Sequence, residues 1–331
     1  MAATPENLTE KLDTLYSTTW QLMREEVVDN IFKATPFWFW LSSRNRIRRE
    51  SGGRWIGAQT MYSKNSTVAS LGPGGTVDIS PQNIHTTAKY DWKWIAGSIV
   101  RLYSEDHQNK GQQAIMNLLE SKTKNLQLSM IDIFESQAFA DGSGNGGLDL
   151  LGLASLVKDD PTTNPASPPG NVGGIDSAAN SWWRNQARTY SVAGMPSGDV
   201  GIAFNMRKLY NACSVGNDHP TLGITDTTQY ETYEASLMNV LRILDKEFGD
   251  IGFEALKYKG MALTFSPSAP ATKLYMLNER YLEFVIEESA DFDMTDWKPI
   301  PAQLDRVAQV VTQGNLVTTN RRMQGVLISM P

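Results

Sequence analysis

Residues 54–102 read RWIGAQTMYSKNSTVASLGPGGTVDISPQNIHTTAKYDWKWIAGSIVRL, and the fold turns on what this stretch can become. Its two halves, 54–71 and 83–102, are rich in Thr, Val, Ile and aromatic residues, which is strand composition. Between them lie Leu71, Gly72, Pro73, Gly74 and Gly75, and a Gly-Pro-Gly-Gly run can only be a turn or loop tip. The stretch predicts a long two-stranded ribbon. Such a ribbon is marginal alone in water because it buries too little. Nothing within it supplies a second layer, so it needs something to lie on.

Downstream, residues 105–140 carry Ile115, Leu119, Leu126, Met130, Ile133 and Phe134 at helical steps, with Lys110, Glu120, Lys122 and Lys124 on a wetter side. No proline interrupts the pattern, and Asp141-Gly142 supplies a glycine stop. At 1.5 Å per residue the helix extends roughly 50 Å, the length of a spine. Upstream, residues 8–32 read as an amphipathic helix through Leu8, Leu12, Leu15, Leu22 and Val27. TPFWFWLSSRNRIRRE (35–50) then joins an aromatic block to Arg44, Arg46, Arg48 and Arg49. Such a run is read as a solvated or ion-paired face rather than a nucleic-acid patch.

Past the spine, residues 141–176 are loop-rich. They lead into NVGGIDSAANSWWRNQ (171–186), which is neither an ordinary strand nor an ordinary helix. Each tryptophan ring buries ~150–250 Å², worth about 4–6 kcal/mol as an upper bound. If the segment is a strand, Trp182 and Trp183 face opposite sides, which makes a shared sugar-stacking platform awkward. Three placements stay open to them: the subunit's own core, a subunit interface, or a ligand site. Arg184 and Asn185 are then candidates to hydrogen-bond neighbouring loops.

A strand-to-helix pattern follows at 200–213, and a second helix at 230–247 carries Leu237, Val240, Leu241 and Leu244 on one face. Strands are expected in ALKYKGMALTFS (255–266), KLYMLN (273–278) and YLEFVIEE (281–288). The final VAQVVTQGNLVTTNRRMQGVLIS (307–329) reads as two β segments around a hairpin-like turn at Gly314-Asn315. No fixed-period repeat is visible. The fold class is α+β with projecting parts.

Catalytic patterns are nearly absent, and neither enzyme activity nor a cofactor is expected. GSGNGG (142–147) follows a helix and enters a Leu-rich coil, whereas a dinucleotide loop must follow a strand and open a helix. No phosphate cradle of the G-x-x-x-x-G-K-[ST] type and no G-x-S-x-G elbow occurs. Asp291, Asp293 and Asp296 lack the glycine and bidentate glutamate of a calcium loop. His85, His107 and His219 have no metal-ligand spacing, and one cysteine, Cys213, allows no intramolecular disulfide.

The 331 residues are 41% hydrophobic and 20% charged, enough for one large domain or two to three lobes. A net charge of −6 argues against a general nucleic-acid binder, although a container gains from walls its contents do not stick to. No apolar run approaches the ~18 residues of a membrane span. The polar, acidic start is no signal peptide, so synthesis in the cytoplasm is expected.

Taken in order, FESQAFADG (134–142), GLASLV (152–157), VGGIDSAANSWWRNQ (172–186), GFEALKYKGMAL (252–263) and LYMLNERYLEF (274–284) resemble the major capsid proteins of tailed double-stranded DNA bacteriophages. Those proteins share the Hong Kong phage-type capsid fold with encapsulins. The resemblance lies in the order of the motifs and covers nearly the whole chain.

It implies an N-terminal arm at 1–52, an extended loop at 53–100 lying across a neighbouring subunit, and a peripheral domain at 101–199 containing the spine helix. It further implies an axial domain at 200–255 and 305–331, with peripheral-domain strands at 256–304. The implied function is self-assembly as hexamers and pentamers into an icosahedral head enclosing DNA. Implied partners are a separate scaffolding protein, a portal, decoration proteins and non-specifically contacted DNA, with no membrane. The scaffolding protein is expected to be separate because the ribbon begins near residue 54. Some relatives cross-link Lys to Asn, but no acid catalyst can be assigned beside Lys64, Asn315 or Asn320, and that chemistry is not carried over. An encapsulin-like nanocompartment shell is the alternative within the fold. A monomeric carbohydrate-binding protein or enzyme is the alternative outside it.

Overall fold

The structure is a computed structural model that describes residues 35–103, 112–163, 171–197, 199–236, 256–301 and 303–330, with backbone alone for 112–120. The expected helix at 8–32, the start of the spine and the stripe from Leu237 to Leu244 lie outside the described residues.

The first sheet is organised by one long strand, β13 (Arg306–Thr318). Along one edge it pairs antiparallel with β4 (Lys93–Arg101), from Arg306↔Arg101 to Gly314↔Lys93. Along the other it meets β12 (Lys298–Pro299), β11 (Asp293–Met294) and β10 (Leu282–Glu287) in turn. β1 (Ile47–Glu50) adds to β10 in parallel. The hairpin expected at Gly314-Asn315 is absent, because the strand runs straight through both residues. A side chain at 314 would stand 2.7 Å from the Val285 carbonyl oxygen, so the glycine serves close strand approach instead of a turn.

Helix α2 (Gln112–Phe139) lies across this sheet. Leu126, Met130 and Phe134, each four residues apart, are buried as the sequence periodicity predicts, and Ala138 four residues on is buried with them. Ile133, placed on the same stripe, is instead 38% exposed. The aromatic block forms helix α1 (Pro36–Ser43), with Pro36 through Leu41 all buried. Trp38 meets Phe134 and Phe284 edge-on at 5.5 and 4.9 Å and donates its indole N–H to the Phe134 carbonyl at 3.1 Å. Residues 35–50 thus complete the first core. The arginines that follow meet carboxylates: Arg44 with Glu279 at 3.1 Å, Arg46 with Glu283 at 3.3 Å and Arg49 with Asp291 at 2.8 Å.

The second sheet has the order β5 (Gln186–Thr189), β14 (Gly325–Ile328), β9 (Leu274–Leu277), β6 (Leu222–Thr225), β8 (Met261–Phe265), β7 (Leu256–Tyr258). Its central strands β6 and β9 are buried at every position, so the sheet is covered on both faces. Leu274 and Met276 join a cluster with helices α3 (Gly201–Cys213) and α4 (Thr227–Ser236). The intervening Tyr275 and Leu277 enter the core shared with the first sheet.

Strands far apart in sequence share each sheet. Strands 256–265 and 274–277 belong with 222–225 and 325–328, while 306–318 belongs with 93–101 and 47–50. Strand composition locates strands but carries no information on partners two hundred residues away. Among the described residues, no helix is long and apolar enough to cross a membrane.

Candidate functional site

Only the root of the expected ribbon is a ribbon. β2 (Ile56–Met61) pairs antiparallel with β3 (His85–Tyr90), from Ile56↔Tyr90 to Met61↔His85. The downstream half does not continue it, because residues 93–101 leave to join β13. Ile56, Ala58, Thr60, Ala88 and Tyr90 alternate inward and are buried. The cover is the chain itself. Tyr90 donates its hydroxyl to the Thr318 carbonyl at 2.7 Å, and Thr60 donates its own to the Thr319 carbonyl at 2.8 Å. Burial pushes the Tyr90 phenol well above its usual pKa and keeps it a neutral donor. For the root, the layer that the ribbon's own stretch does not supply comes from elsewhere on the same chain.

Beyond the root, residues 62–84 contain no strand. Their hydrogen bonds are local, such as Ser66 to Gln82 at 2.9 Å and the Gly75 amide to the Gly72 carbonyl at 3.0 Å. Leu71, Gly72, Pro73, Gly74 and Gly75 form the exposed tip, with Gly74 at φ +80°. Val68, Leu71, Val77 and Ile79 are 81, 51, 64 and 92% exposed. Isolated exposed apolar residues are ordinary, but four on one excursion form a surface that the described residues leave uncovered.

The tryptophan segment lies under the ribbon root. Trp182 and Trp183 sit on a single 3₁₀ turn, Ser181–Trp183, and not on a strand. Trp183 is fully buried and donates its indole N–H to the Val172 carbonyl at 2.9 Å. Gly173 explains how the root comes so close. Its φ is +65°, and a Cβ there would stand 2.7 Å from the Ala88 Cβ. Trp182 is half-buried, with its ring 5.4 Å from Tyr62 of the ribbon and 5.6 Å from Trp183. Arg184 donates to the Ser177 and Ala178 carbonyls at 2.7 and 2.6 Å, closing its own loop.

Asn185 is buried and exchanges hydrogen bonds with the Lys158 backbone at 2.8 and 3.1 Å. It also accepts from Arg321 at 3.1 Å. Arg321 has no accessible surface and donates to the Leu156 carbonyl at 2.8 Å, while its Nη1 finds no acceptor among the described residues. Among the described residues no carboxylate pairs with it, and burial lowers its pKa to about 10. Burial, and then Arg321, lower Lys158 to about 8. Sequence reasoning missed this arginine. Its neighbours Asn320 and Arg322 mark a polar stretch, and nothing local distinguishes a buried guanidinium there.

The remaining candidates are quiet. Cys213 is buried, with its thiol pushed up to about 12. Asn315 is buried, accepting from the Leu151 amide at 2.9 Å and donating to the Asp91 carbonyl at 2.8 Å. Asp291 pairs with Arg49. Among the described residues, no group of His, Cys, Asp and Glu could hold a metal ion.

No family model matches the chain, and no curated protein does. Solved structures do. The capsid asymmetric unit of cyanophage A-1(L) superposes with a TM-score of 0.61 at 13% identity, over 86% of this chain and 90% of that one. The SrpI encapsulin of Synechococcus elongatus gives 0.56 at 12% identity, over 89% and 88%. The capsid of a native GTA particle gives 0.54 at 10%, over 88% and 90%. Agreement over that much of both chains, at identities this low, is agreement of fold. The chain has the Hong Kong phage-type capsid fold.

Proposed function

We propose that this chain is the major subunit of a phage head, assembling as hexamers and pentamers into an icosahedral container for double-stranded DNA. The observation that supports the reading is the outer ribbon, whose exposed Val68, Leu71, Val77 and Ile79 find no cover among the described residues. A fold otherwise packed into two continuous cores would gain from covering them with a second copy. Contacts that pass head-to-tail from copy to copy close into rings when the rotation permits, and many modest contacts then add up.

On this reading the first sheet and α2 form the peripheral domain, and the second sheet with α3 and α4 forms the axial domain. The function is structural and needs no catalytic step. A separate scaffolding protein, a portal, decoration proteins and the packaged DNA are the partners, and the virion is the final location. Trp182, Trp183, Arg184 and Asn185 serve as the packed junction beneath the ribbon.

The full chain, expressed alone and with candidate scaffolding proteins, is expected to yield closed megadalton particles by size-exclusion chromatography and negative-stain microscopy. A monomer that persists at every concentration and in every co-expression would refute the reading. The similarity to an encapsulin favours a second reading, a nanocompartment around a protein cargo. Particles purified from the native source that contain protein and no DNA would select it.

A further inference from the structure

The ribbon meets the body in two different ways, and the change falls at one residue. From Ile56 to Met61 and from His85 to Tyr90 the strands are paired, alternately buried, and tied to the Thr318 and Thr319 carbonyls. From Ser63 to Asn83, among the described residues, every hydrogen bond stays within the ribbon.

Tyr62 stands at the join. Its amide donates to the Ile84 carbonyl at 3.1 Å and its hydroxyl to the Asn83 carbonyl at 2.6 Å, so both bonds travel with the ribbon. Its link to the body is the ring contact with Trp182. Trp182 in turn lies against Trp183, whose indole N–H is held by the Val172 carbonyl.

Tyr62 is also flanked by open space. A groove of about 440 Å³ on one side is lined by Asn83, His85, Asp176 and Trp182, and one of about 400 Å³ on the other by Met61, Lys64, Tyr281 and Asn320. A ring with room on both flanks is held to the body by its tilted contact with Trp182, while its hydroxyl ties it to Asn83 of the ribbon.

We infer that the ribbon consists of two mechanical parts, a root fixed to the body and an outer segment that pivots at Tyr62 and Ile84, with the tilted Tyr62–Trp182 ring contact as a releasable clasp between them. When the clasp is closed the outer segment leaves the molecule along one direction. When it opens, residues 62–84 swing while residues 56–61 and 85–90 stay seated. The device belongs to a single chain and does not rest on the shell reading. A half-buried aromatic pair is a weak, reversible contact, suited to a clasp where a fully buried tie is not.

Amide hydrogen exchange on the full chain tests the clasp. Trp182→Ala is expected to speed exchange at the Tyr62 amide by roughly 2- to 10-fold, the range of one aromatic pair, and to leave the amides of 57–60 and 86–89 unchanged. Tyr62→Leu should reproduce that result, and Tyr62→Phe, which keeps the ring, should retain the wild-type rate. Equal acceleration throughout the root, or an unchanged Tyr62 amide, overturns the inference.

A second measurement needs no loss of packing. Cys213 is buried, so introduced cysteines can be labelled selectively. Nitroxides at Thr76→Cys and Thr87→Cys, diluted with unlabelled chain, should give a broad distance distribution, and a pair at Thr87→Cys and Gln309→Cys a narrow one. Distributions of equal width would show one mechanical part and overturn the proposal.

Discussion

Trp183 and Arg321 do different work within one small volume. The indole is apolar bulk with a single donor, and that donor is satisfied by the Val172 carbonyl. Truncation to alanine leaves a cavity beneath the ribbon root that Gly173 and Ala88 cannot fill, and should cost about 3–5 kcal/mol by chemical denaturation. A loss below 1 kcal/mol would mean that the segment is not a packed junction. The guanidinium instead fans its donors to Leu156, Ser155 and Asn185. Lysine keeps the charge but cannot span that fan, so Arg321→Lys should cost about 2 kcal/mol despite conserving charge. The sequence announces the tryptophans by their size. It does not announce the arginine, because burial of a cation among neutral acceptors is decided by three segments that meet only in the fold.

At the scale of elements, legibility tracks the distance over which each pattern is decided. The periodicity of α2 is local, and Leu126, Met130 and Phe134 fall where the helical repeat puts them. Ile133 departs because the sheet covers a narrower stripe than the apolar residues occupy. Strand partners are decided far away. Residues 93–101 look like the second half of a ribbon, yet nine consecutive residues pair with β13. Gly314-Asn315 looks like a turn, yet the pair sits inside a strand where Asn315 ties Leu151 to Asp91. The tip at residues 71–75 was legible because a glycine-proline run offers few alternatives. Deleting residues 71–76 should leave the far-UV spectrum and the melting temperature unchanged, since among the described residues the tip makes no hydrogen bond to the body, and should abolish closed particles. Normal particles from that variant would remove the ribbon from assembly.

For the whole molecule, the two sheets are not independent bodies. β9 sends Tyr275 and Leu277 into the core of the first sheet and Leu274 and Met276 into the cluster under α3. A sheet that forms a wall of both cores cannot lose one without exposing the other. The unassembled chain should therefore melt in one calorimetric transition with equal calorimetric and van't Hoff enthalpies, and two resolved transitions would refute a shared wall. The order helix, ribbon, spine, loop and mixed α/β was visible in the sequence and sufficed for the fold class. How its strands are shared between sheets was not.

The acceptors that seat the ribbon root carry a consequence for timing. Tyr90 and Thr318 lie 228 residues apart, and every ribosome makes the first long before the second. A nascent chain thus exposes its ribbon strands with no floor beneath them until the closing strands emerge. A chain broken off before residue 318 lacks both carbonyls that seat the root, so its ribbon strands keep their inward hydroxyls without those acceptors.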